Sequence, residues 1–134
     1  MEKTYSTPLV QKLGIKENST ITVINAPAHY KSTLGNLPKG ARVSRNLQTN
    51  SSIIQFFAKS RQELVKNFLK LKSCLSPAGA LWICWPKKTS SIKSDINENV
   101  VIGEGLKNGL VDIKVIKVDE YWSALKFVYR IQDR

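Results

Sequence analysis

The fold is decided by residues 60–86, SRQELVKNFLKLKSCLSPAGALWICWP, which predict a helix followed by a buried strand. Ser60 with Glu63 three positions later is typical of a capping box, so we expect the helix to begin there. Its apolar side chains recur at helical spacing, and Val65 and Leu69 widen the stripe. The stripe itself consists of Leu64, Phe68, Leu71 and Leu75.

The second half of this stretch predicts a strand. Residues 76–79, Ser-Pro-Ala-Gly, form a turn that ends the helix, and the apolar run 80–85 has the length and composition of a buried strand. Pro86 ends it, because proline has no N–H for the ladder. Trp82 and Trp85 are three positions apart, so we expect them on opposite faces of this strand, with at least one in the core.

Strands and helices alternate on both sides of this helix–strand pair. Upstream, the sequence predicts a helix in residues 6–13 that stops at Gly14, strands at 20–25, 41–47 and 53–58, and a short helix within 28–37. Downstream, Asp95 with Glu98 predicts the start of a helix that Gly109 ends. Two strands, 110–118 and 123–131, follow, and their short connection makes them an antiparallel hairpin.

This order predicts one α/β domain over residues 1–134, with a mainly parallel sheet, helices on both faces and a C-terminal antiparallel hairpin. One connection is difficult. If strand 41–47 runs parallel to strand 20–25, the few residues 48–52 must carry the chain back to the other end of the sheet. The polar side chains of strand 41–47 place it at an edge.

The charge is strongly positive and unevenly distributed. The chain carries a formal net charge of +11, and residues 59–93 alone hold eight basic residues against Glu63. Residues 95–134 are close to neutral. This asymmetry favours an anionic partner, although a lysine-rich solvent-exposed surface explains it as well.

Several classes of protein are disfavoured by the composition. No apolar run has the length of a membrane span and the first residues lack the apolar stretch of a signal peptide, so we expect a cytoplasmic protein. Cys74 and Cys84 lack a CxxC spacing, which predicts buried reduced thiols. With a single histidine, His29, we expect no metal site.

Several segments resemble a bacterial family described as a domain of unknown function. The resemblance covers nearly the whole chain and implies a bacterial cytoplasmic protein without catalytic residues to carry over. The segments that carry it are Thr7–Lys16, Val23–Pro27, Ser60–Leu64, Pro77–Trp82, Trp85–Lys88, Gly109–Val115 and Trp122–Val128.

The order of elements also resembles the second half of class I methyltransferases, a likeness of fold that does not decide function. Adenosylmethionine and nicotinamide cofactors need a glycine-rich turn after the first strand, where this chain has Asn25-Ala26-Pro27-Ala28-His29-Tyr30. No carboxylate follows strand 41–47 to hold a ribose. We therefore expect neither cofactor to bind, and no cofactor at all.

Ligands of open α/β sheets bind beyond the carboxyl ends of the parallel strands. The residues predicted to meet there combine cations, a helix N-terminus and exposed aromatic rings, a set that suits a phosphate or carboxylate. This candidate ligand site consists of Asn25, His29, Tyr30, Lys59, Arg61, Lys87, Lys88 and Trp122.

Each residue of this site also has an ordinary structural explanation. His29 is equally well a surface-loop residue, and Lys87 with Lys88 a solvated pair. Asp119 and Glu120 are placed to form salt bridges with these lysines. We predict no catalytic residues and lean against an enzyme.

Three functions therefore stay open. The first is binding of an anionic small molecule at the strand carboxyl ends. The second is sequence-independent nucleic-acid binding, although no known nucleic-acid-binding motif is present. The third is a degenerate methyltransferase-like module that regulates or partners another protein.

Overall fold

The computed structural model describes residues 7–134, which form a six-stranded sheet between two helical layers. The elements, in chain order, are α1 Leu9–Leu13, β1 Thr20–Ile24, α2 Tyr30–Leu34, β2 Arg42–Ser44, β3 Ser51–Phe57, α3 Arg61–Cys74, β4 Leu75–Pro86, α4 Glu98–Lys107, β5 Leu110–Lys117, β6 Trp122–Tyr129 and a 3₁₀ turn, Ile131–Asp133.

The strand order is β2-β1-β3-β4-β6-β5. Strands β1 to β4 are parallel, and β6 is antiparallel to both β4 and β5. The predicted fold class, a mainly parallel α/β sheet that ends in an antiparallel hairpin, is confirmed. Strands β1 to β5 all end at one side of the sheet, which we call the carboxyl edge.

The difficult connection after the second strand is explained by the length of β2. It has three residues, Arg42–Ser44, and pairs only with Thr20–Thr22 at the start of β1. The chain has therefore advanced little along the sheet when it turns back, and residues 45–50 are enough to reach the start of β3. The predicted edge position is confirmed, whereas the predicted length, residues 41–47, is too long.

The two faces of the sheet are covered differently. One face, which we call the α1/α2 face, packs against Leu9, Leu13 and Leu34 from two five-residue helices. The opposite α3/α4 face packs against Leu64, Phe68, Leu71 and Val101 from helices of fourteen and ten residues. Trp82 lies on the first face and Trp85 on the second, and both are buried, as their spacing predicts.

Helix α3 begins as its sequence indicates, because the Ser60 hydroxyl accepts a hydrogen bond from the Glu63 N–H at 3.1 Å. The predicted width of its apolar stripe is wrong. Val65 is 52% and Leu69 64% exposed, while Leu64, Phe68 and Leu71 are buried. The sheet contacts one narrow stripe, so side chains one position further around the helix face solvent.

No turn separates α3 from β4. The strand begins at Leu75, opposite Ser51, and residues 76–79 form an irregularity before Ala80 pairs with Ile53. A Cβ on Gly79 would lie 2.9 Å from the Ser52 carbonyl oxygen, so this glycine permits the close approach of the two strands. The prediction of a turn at 76–79 is wrong because the sheet absorbs these residues as a bulge.

Helix α4 has a different cap from the predicted one. The Asn97 side chain accepts from the Val100 N–H at 2.9 Å, and Asp95 instead accepts from the Arg61 N–H at 2.8 Å. Further along, a Cβ on Gly105 would overlap the Phe127 ring, so glycine at this position lets α4 lie directly on β6. Among residues 7–134, no helix is long and apolar enough to cross a bilayer.

Candidate functional site

The carboxyl edge collects most of the predicted site residues in two separate groups. Asn25, Lys59 and Arg61 lie around the N-terminus of α3, where β1 and β3 end. His29 and Lys87 lie near the β5–β6 turn at residues 118–121. Lys88 follows Lys87 and is exposed. The structure places these residues at the predicted edge of the sheet, but it separates them into two groups.

Glu63 is the centre of the first group. Its carboxylate accepts from the Lys59 N–H at 2.8 Å and from the Asn25 side-chain amide at 3.4 Å. Asn25 has a φ of 62°, so it supplies the left-handed turn after β1 that a glycine usually provides. Glu63 thus ties together the ends of two adjacent parallel strands. Sequence reasoning assigned it only a capping role.

Arg61 is held by the segment before α4. Its backbone N–H donates to the Asp95 carboxylate at 2.8 Å and its side-chain Nε donates to the Asp95 carbonyl at 3.0 Å. Part of its hydrogen-bonding capacity is therefore used within the protein, which leaves Lys59 as the more available cation of the first group.

The second group is built on the β5–β6 turn. The Asp119 carboxylate accepts from the N–H groups of Tyr121 and Trp122 at 2.8 and 2.9 Å, which fixes the turn. Its other oxygen lies 3.6 Å from His29 Nε2, and the Tyr121 ring meets the His29 ring edge to face. Because β3 and β4 lie between β1 and β6, the loop after β1 crosses the ends of both strands to make this contact.

Three lysines lie beside this turn, and we call them the basic cluster: Lys12 of α1, Lys87 after β4 and Lys117 at the end of β5. Lys12 Nζ donates to the Lys117 carbonyl at 3.2 Å, and the Lys87 N–H donates to the Tyr121 carbonyl at 2.8 Å. Partial burial lowers the pKa of Lys87 below its usual 10.5, and the charges of Lys117 and Lys12 lower it further, against the opposing effect of Asp119 and Glu120.

Lys12 and Lys117 were not predicted as site residues. Lys117 had a sequence signal, since it lies two residues before Asp119, where the hairpin turn was expected at this edge. Lys12 had no such signal. Only the packing of α1 on the sheet brings it close to Lys87 and Lys117, which follow it by 75 and 105 positions in the chain.

Two predicted site residues belong to the core. Tyr30 is 3% and Trp122 2% exposed, so the prediction that their rings are exposed at the strand ends is wrong. The Tyr30 hydroxyl donates to the buried Gln55 side chain, and burial raises the pKa of Tyr30. Trp122 packs edge to face on Phe57 at 5.0 Å. Both rings complete the apolar layer of the α1/α2 face, where their area is removed from water.

The expected salt bridges between Asp119 or Glu120 and Lys87 or Lys88 are also not formed. Among residues 7–134, only His29 and Asp119 form an ion pair with a distance below 4.0 Å. Asp119 is directed by its two backbone hydrogen bonds toward the turn, which leaves the lysines without an acidic partner at that distance.

The chemically reactive side chains of the core are shielded. Cys74 and Cys84 are buried and unpaired, as the sequence predicts, and burial raises the pKa of Cys84. Among the described residues, no three His, Cys, Asp or Glu side chains are grouped closely enough to hold a metal ion.

Comparison with known proteins gives a likeness of fold. No protein-family model and no curated protein matches the chain. A SAM-dependent methyltransferase from Aquifex aeolicus superposes with a TM-score of 0.62 at 14% identity, over 89% of this chain and 86% of that one. The chain has a methyltransferase-like fold.

Two further structures agree with this result. A protein assigned to the type 11 methyltransferases, from Sulfolobus solfataricus, has a TM-score of 0.55 at 11% identity and covers 92% of this chain and 89% of its own. A protein assigned as a methyltransferase, from Thermoplasma acidophilum, has a TM-score of 0.56 at 11% identity and covers 96% and 77%. At such identities the likeness concerns the fold alone.

The residues of this chain do not fit S-adenosylmethionine. The strand order reverses between β1 and β3, and a nucleotide-type ligand of such a sheet lies in the crevice at that point. Here the Glu63 carboxylate bridges the crevice, and β2 ends at Ser44, which Arg45 follows, so no carboxylate for a ribose stands at this position. Asn25 supplies the turn geometry that glycine was expected to provide, so the obstacle is these side chains and not the backbone conformation.

Proposed function

We propose that this protein binds an anionic ligand at the basic cluster on its carboxyl edge. The observation that carries the proposal is the convergence of Lys12, Lys87 and Lys117 from three separate elements, with no acidic side chain within 4.0 Å of them among residues 7–134. Lys117 and Lys12 repel the Lys87 ammonium group while Asp119 and Glu120 attract it from beyond 4.0 Å, so a bound anion would add a direct favourable contact.

Lys87 is the central contact of the proposed site. It is partly buried, and this partial burial lowers the pKa of its ammonium group below the usual 10.5. An anion that approaches this ammonium group offsets both the lost hydration and the repulsion from Lys117 and Lys12. Phosphate and carboxylate groups have the charge and the acceptor oxygens for this contact.

The other predicted residues have secondary roles in this proposal. Lys88, next to Lys87 and exposed, adds to the positive potential that attracts an anion. His29 borders the site, where its ring meets the Tyr121 ring edge to face and its Nε2 lies 3.6 Å from Asp119. Lys59 lies near the Glu63 group, so it contributes at longer range.

The test is titration of the protein with sodium sulfate and inorganic phosphate at constant ionic strength, followed by calorimetry and thermal unfolding. We expect saturable binding that stabilises the folded protein. Replacement of both Lys87→Gln and Lys117→Gln should weaken it about tenfold or more, since charge-assisted contacts are lost. The matched control, Lys66→Gln with Lys70→Gln, removes the same charge from the solvent side of α3 and should leave binding unchanged.

Equal weakening by both double variants would show that net charge, and not the basic cluster, attracts the anion. In that case nucleic-acid binding becomes the better explanation. It would appear as a mobility shift of DNA or RNA that declines steeply with salt and ignores sequence.

A second candidate function is supported by the fold. A methyltransferase-like sheet in which Glu63 bridges the ends of β1 and β3 is compatible with a regulatory or partner module. Affinity purification from the native host should then recover one stoichiometric protein partner, whereas a monomer that elutes alone at cellular concentration speaks against it. The resemblance to a bacterial family predicts that the host is a bacterium and that the protein is cytoplasmic. Both stay predictions.

A further inference from the structure

A second location on the α1/α2 face has the properties of a ligand site. A cavity of about 440 Å³ lies between α2 and β2, which we call the α2–β2 cavity. Its volume is within the range of roughly 300–1,000 Å³ typical of small-molecule sites. It shares none of the residues of the basic cluster.

The wall of this cavity is apolar. Leu34 and Leu37 line it from the α2 side, and Val43 of the edge strand lines it from the opposite side. Val43 is 38% exposed, so part of its apolar surface faces the open space. An apolar ligand body would cover this surface and remove it from water.

Three basic residues are among those that line the cavity. Lys31, Arg42 and Arg45 line it, no acidic residue does, and none of the three has an ion-pair partner within 4.0 Å in residues 7–134. Arg42 and Arg45 also line a neighbouring cavity of about 530 Å³ whose other residues are mostly polar. The two arginines therefore stand at the boundary between an apolar and a polar space.

The backbone of Val43 in the edge strand adds a hydrogen-bond donor to this boundary. The preceding residue, Arg42, is paired with β1, because its N–H donates to the Ser19 carbonyl at 2.9 Å. In a parallel ladder the next residue then directs its N–H and C=O away from the neighbouring strand. The backbone of Val43 therefore faces the space outside the sheet, between the two arginines.

We propose that the α2–β2 cavity binds a free amphipathic organic anion. The aliphatic or aromatic body lies between Leu34, Leu37 and Val43. The carboxylate or phosphate group is held by Arg42 and Arg45, whose guanidinium groups bind such anions with two hydrogen bonds. This site is separate from the basic cluster and goes beyond the proposed function.

Three probes of equal chain length test the proposal: octanoate, 1-octanol and octylammonium. We expect octanoate to bind saturably, octanol more weakly and octylammonium not at all. Arg42→Gln with Arg45→Gln should weaken octanoate about tenfold or more and leave octanol unchanged, because only the charged contact is removed. Lys66→Gln with Lys70→Gln is the control of equal charge.

A blocking variant tests the apolar part. Val43→Trp places a large side chain in the cavity from an exposed strand position and should abolish binding of both octanoate and octanol. Amide NMR shifts of the unaltered protein keep the proposal testable if this variant fails to fold. They should move at residues 31–35 and 42–45 when octanoate is added.

Octylammonium binding as tight as octanoate, or amide shifts confined to other residues, would overturn the proposal. Sedimentation with phosphatidylglycerol vesicles separates the two sources of such a ligand. Binding to vesicles, sensitive to Val43→Trp, without binding of octanoate would contradict a free ligand. Sulfate binding should survive Val43→Trp, and octanoate binding should survive the Lys87 and Lys117 replacements, so the two proposed sites fail independently.

Discussion

The α3/α4 face and the α1/α2 face of the sheet are built from different materials. The first is covered by two long helices over an apolar layer, where Phe68 packs edge to face on Phe127 at 5.7 Å. The second is covered by two five-residue helices and includes a buried polar group of Tyr30, Gln55 and Cys84.

The thinner cover of the α1/α2 face coincides with a cavity and with an unsatisfied polar atom. On the α1/α2 face, Trp82 Nε1 is buried without a hydrogen-bond partner among the described residues. The α2–β2 cavity opens on this face, and Lys12 of the basic cluster comes from one of its short helices. Thin cover leaves room for cavities and places charged side chains near the sheet, whereas the longer helices α3 and α4 cover the other face.

The largest expected effect is on the α3/α4 face. Phe127→Ala should lower the free energy of unfolding by about 3–5 kcal/mol, because a fully buried ring is lost and a cavity remains beside Phe68 and Gly105. Urea unfolding followed by circular dichroism measures it. Leu69→Ala, on the exposed side of α3, is the control and should change the free energy by less than about 0.5 kcal/mol.

The next effect is on the α1/α2 face. Tyr30→Phe removes the hydroxyl that donates to Gln55 and leaves a buried amide oxygen without its donor. We expect a loss of about 1–3 kcal/mol in the same urea experiment. Tyr121→Phe, at an exposed ring, should cost almost nothing.

Adding Gln55→Met to Tyr30→Phe should restore part of this loss, since an unpaired polar group is then replaced by an apolar one. A loss for Tyr30→Phe larger than that for Phe127→Ala would show that the buried hydrogen bond to Gln55 matters more for stability than the packing of the Phe127 ring.

A third effect concerns pH and the basic cluster. Lys87 has a lowered pKa, so it loses its proton below the usual 10.5 and sulfate affinity should decline at a lower pH than for an ordinary lysine. Calorimetric titration of sulfate between neutral pH and about pH 10.5 measures this decline. Lys87→Arg should move it to higher pH, because the guanidinium stays charged.

The stability of the ligand-free protein should change with pH in the opposite direction to sulfate affinity. Between the folded pKa of Lys87 and the unfolded value near 10.5, the unfolded chain binds more protons, so this group makes the fold more stable as pH rises. An identical sulfate profile for Lys87 and Lys87→Arg proteins would exclude Lys87 as the contact.

The smallest expected effect is zero. S-adenosylmethionine at millimolar concentration should neither release heat nor shift the unfolding temperature, because Glu63 bridges the crevice between β1 and β3. Glu63→Ala removes the bridging carboxylate, and the same measurement on this variant tests whether Glu63 is the obstacle to S-adenosylmethionine. A dissociation constant in the micromolar range for the unaltered protein, about −8 kcal/mol, would place it among cofactor-binding proteins.

Local sequence was a reliable guide where one element decides its own structure. The Ser60 cap, the left-handed Gly14 after α1, the buried strand of β4 and the hairpin of β5 and β6 depend on neighbours within a few positions, and all were predictable. The cap of α4 could not be predicted from its neighbours in the chain. Asp95 and Asn97 are both suitable caps, and only the position of Arg61 on another helix decides between them.

The fold class and the antiparallel end of the sheet follow from the sequence, because apolar periodicity and turn residues act over short distances. The excess of positive charge follows from the residue counts alone. Tertiary structure alone decided which charges meet. Lys12 lies near Lys87 and Lys117 only because α1 packs on the sheet. Tyr30 and Trp122 do not line the predicted site, because their rings are buried in the core of the α1/α2 face. Contacts between residues far apart in sequence depend on the packing of whole elements, which no local pattern encodes.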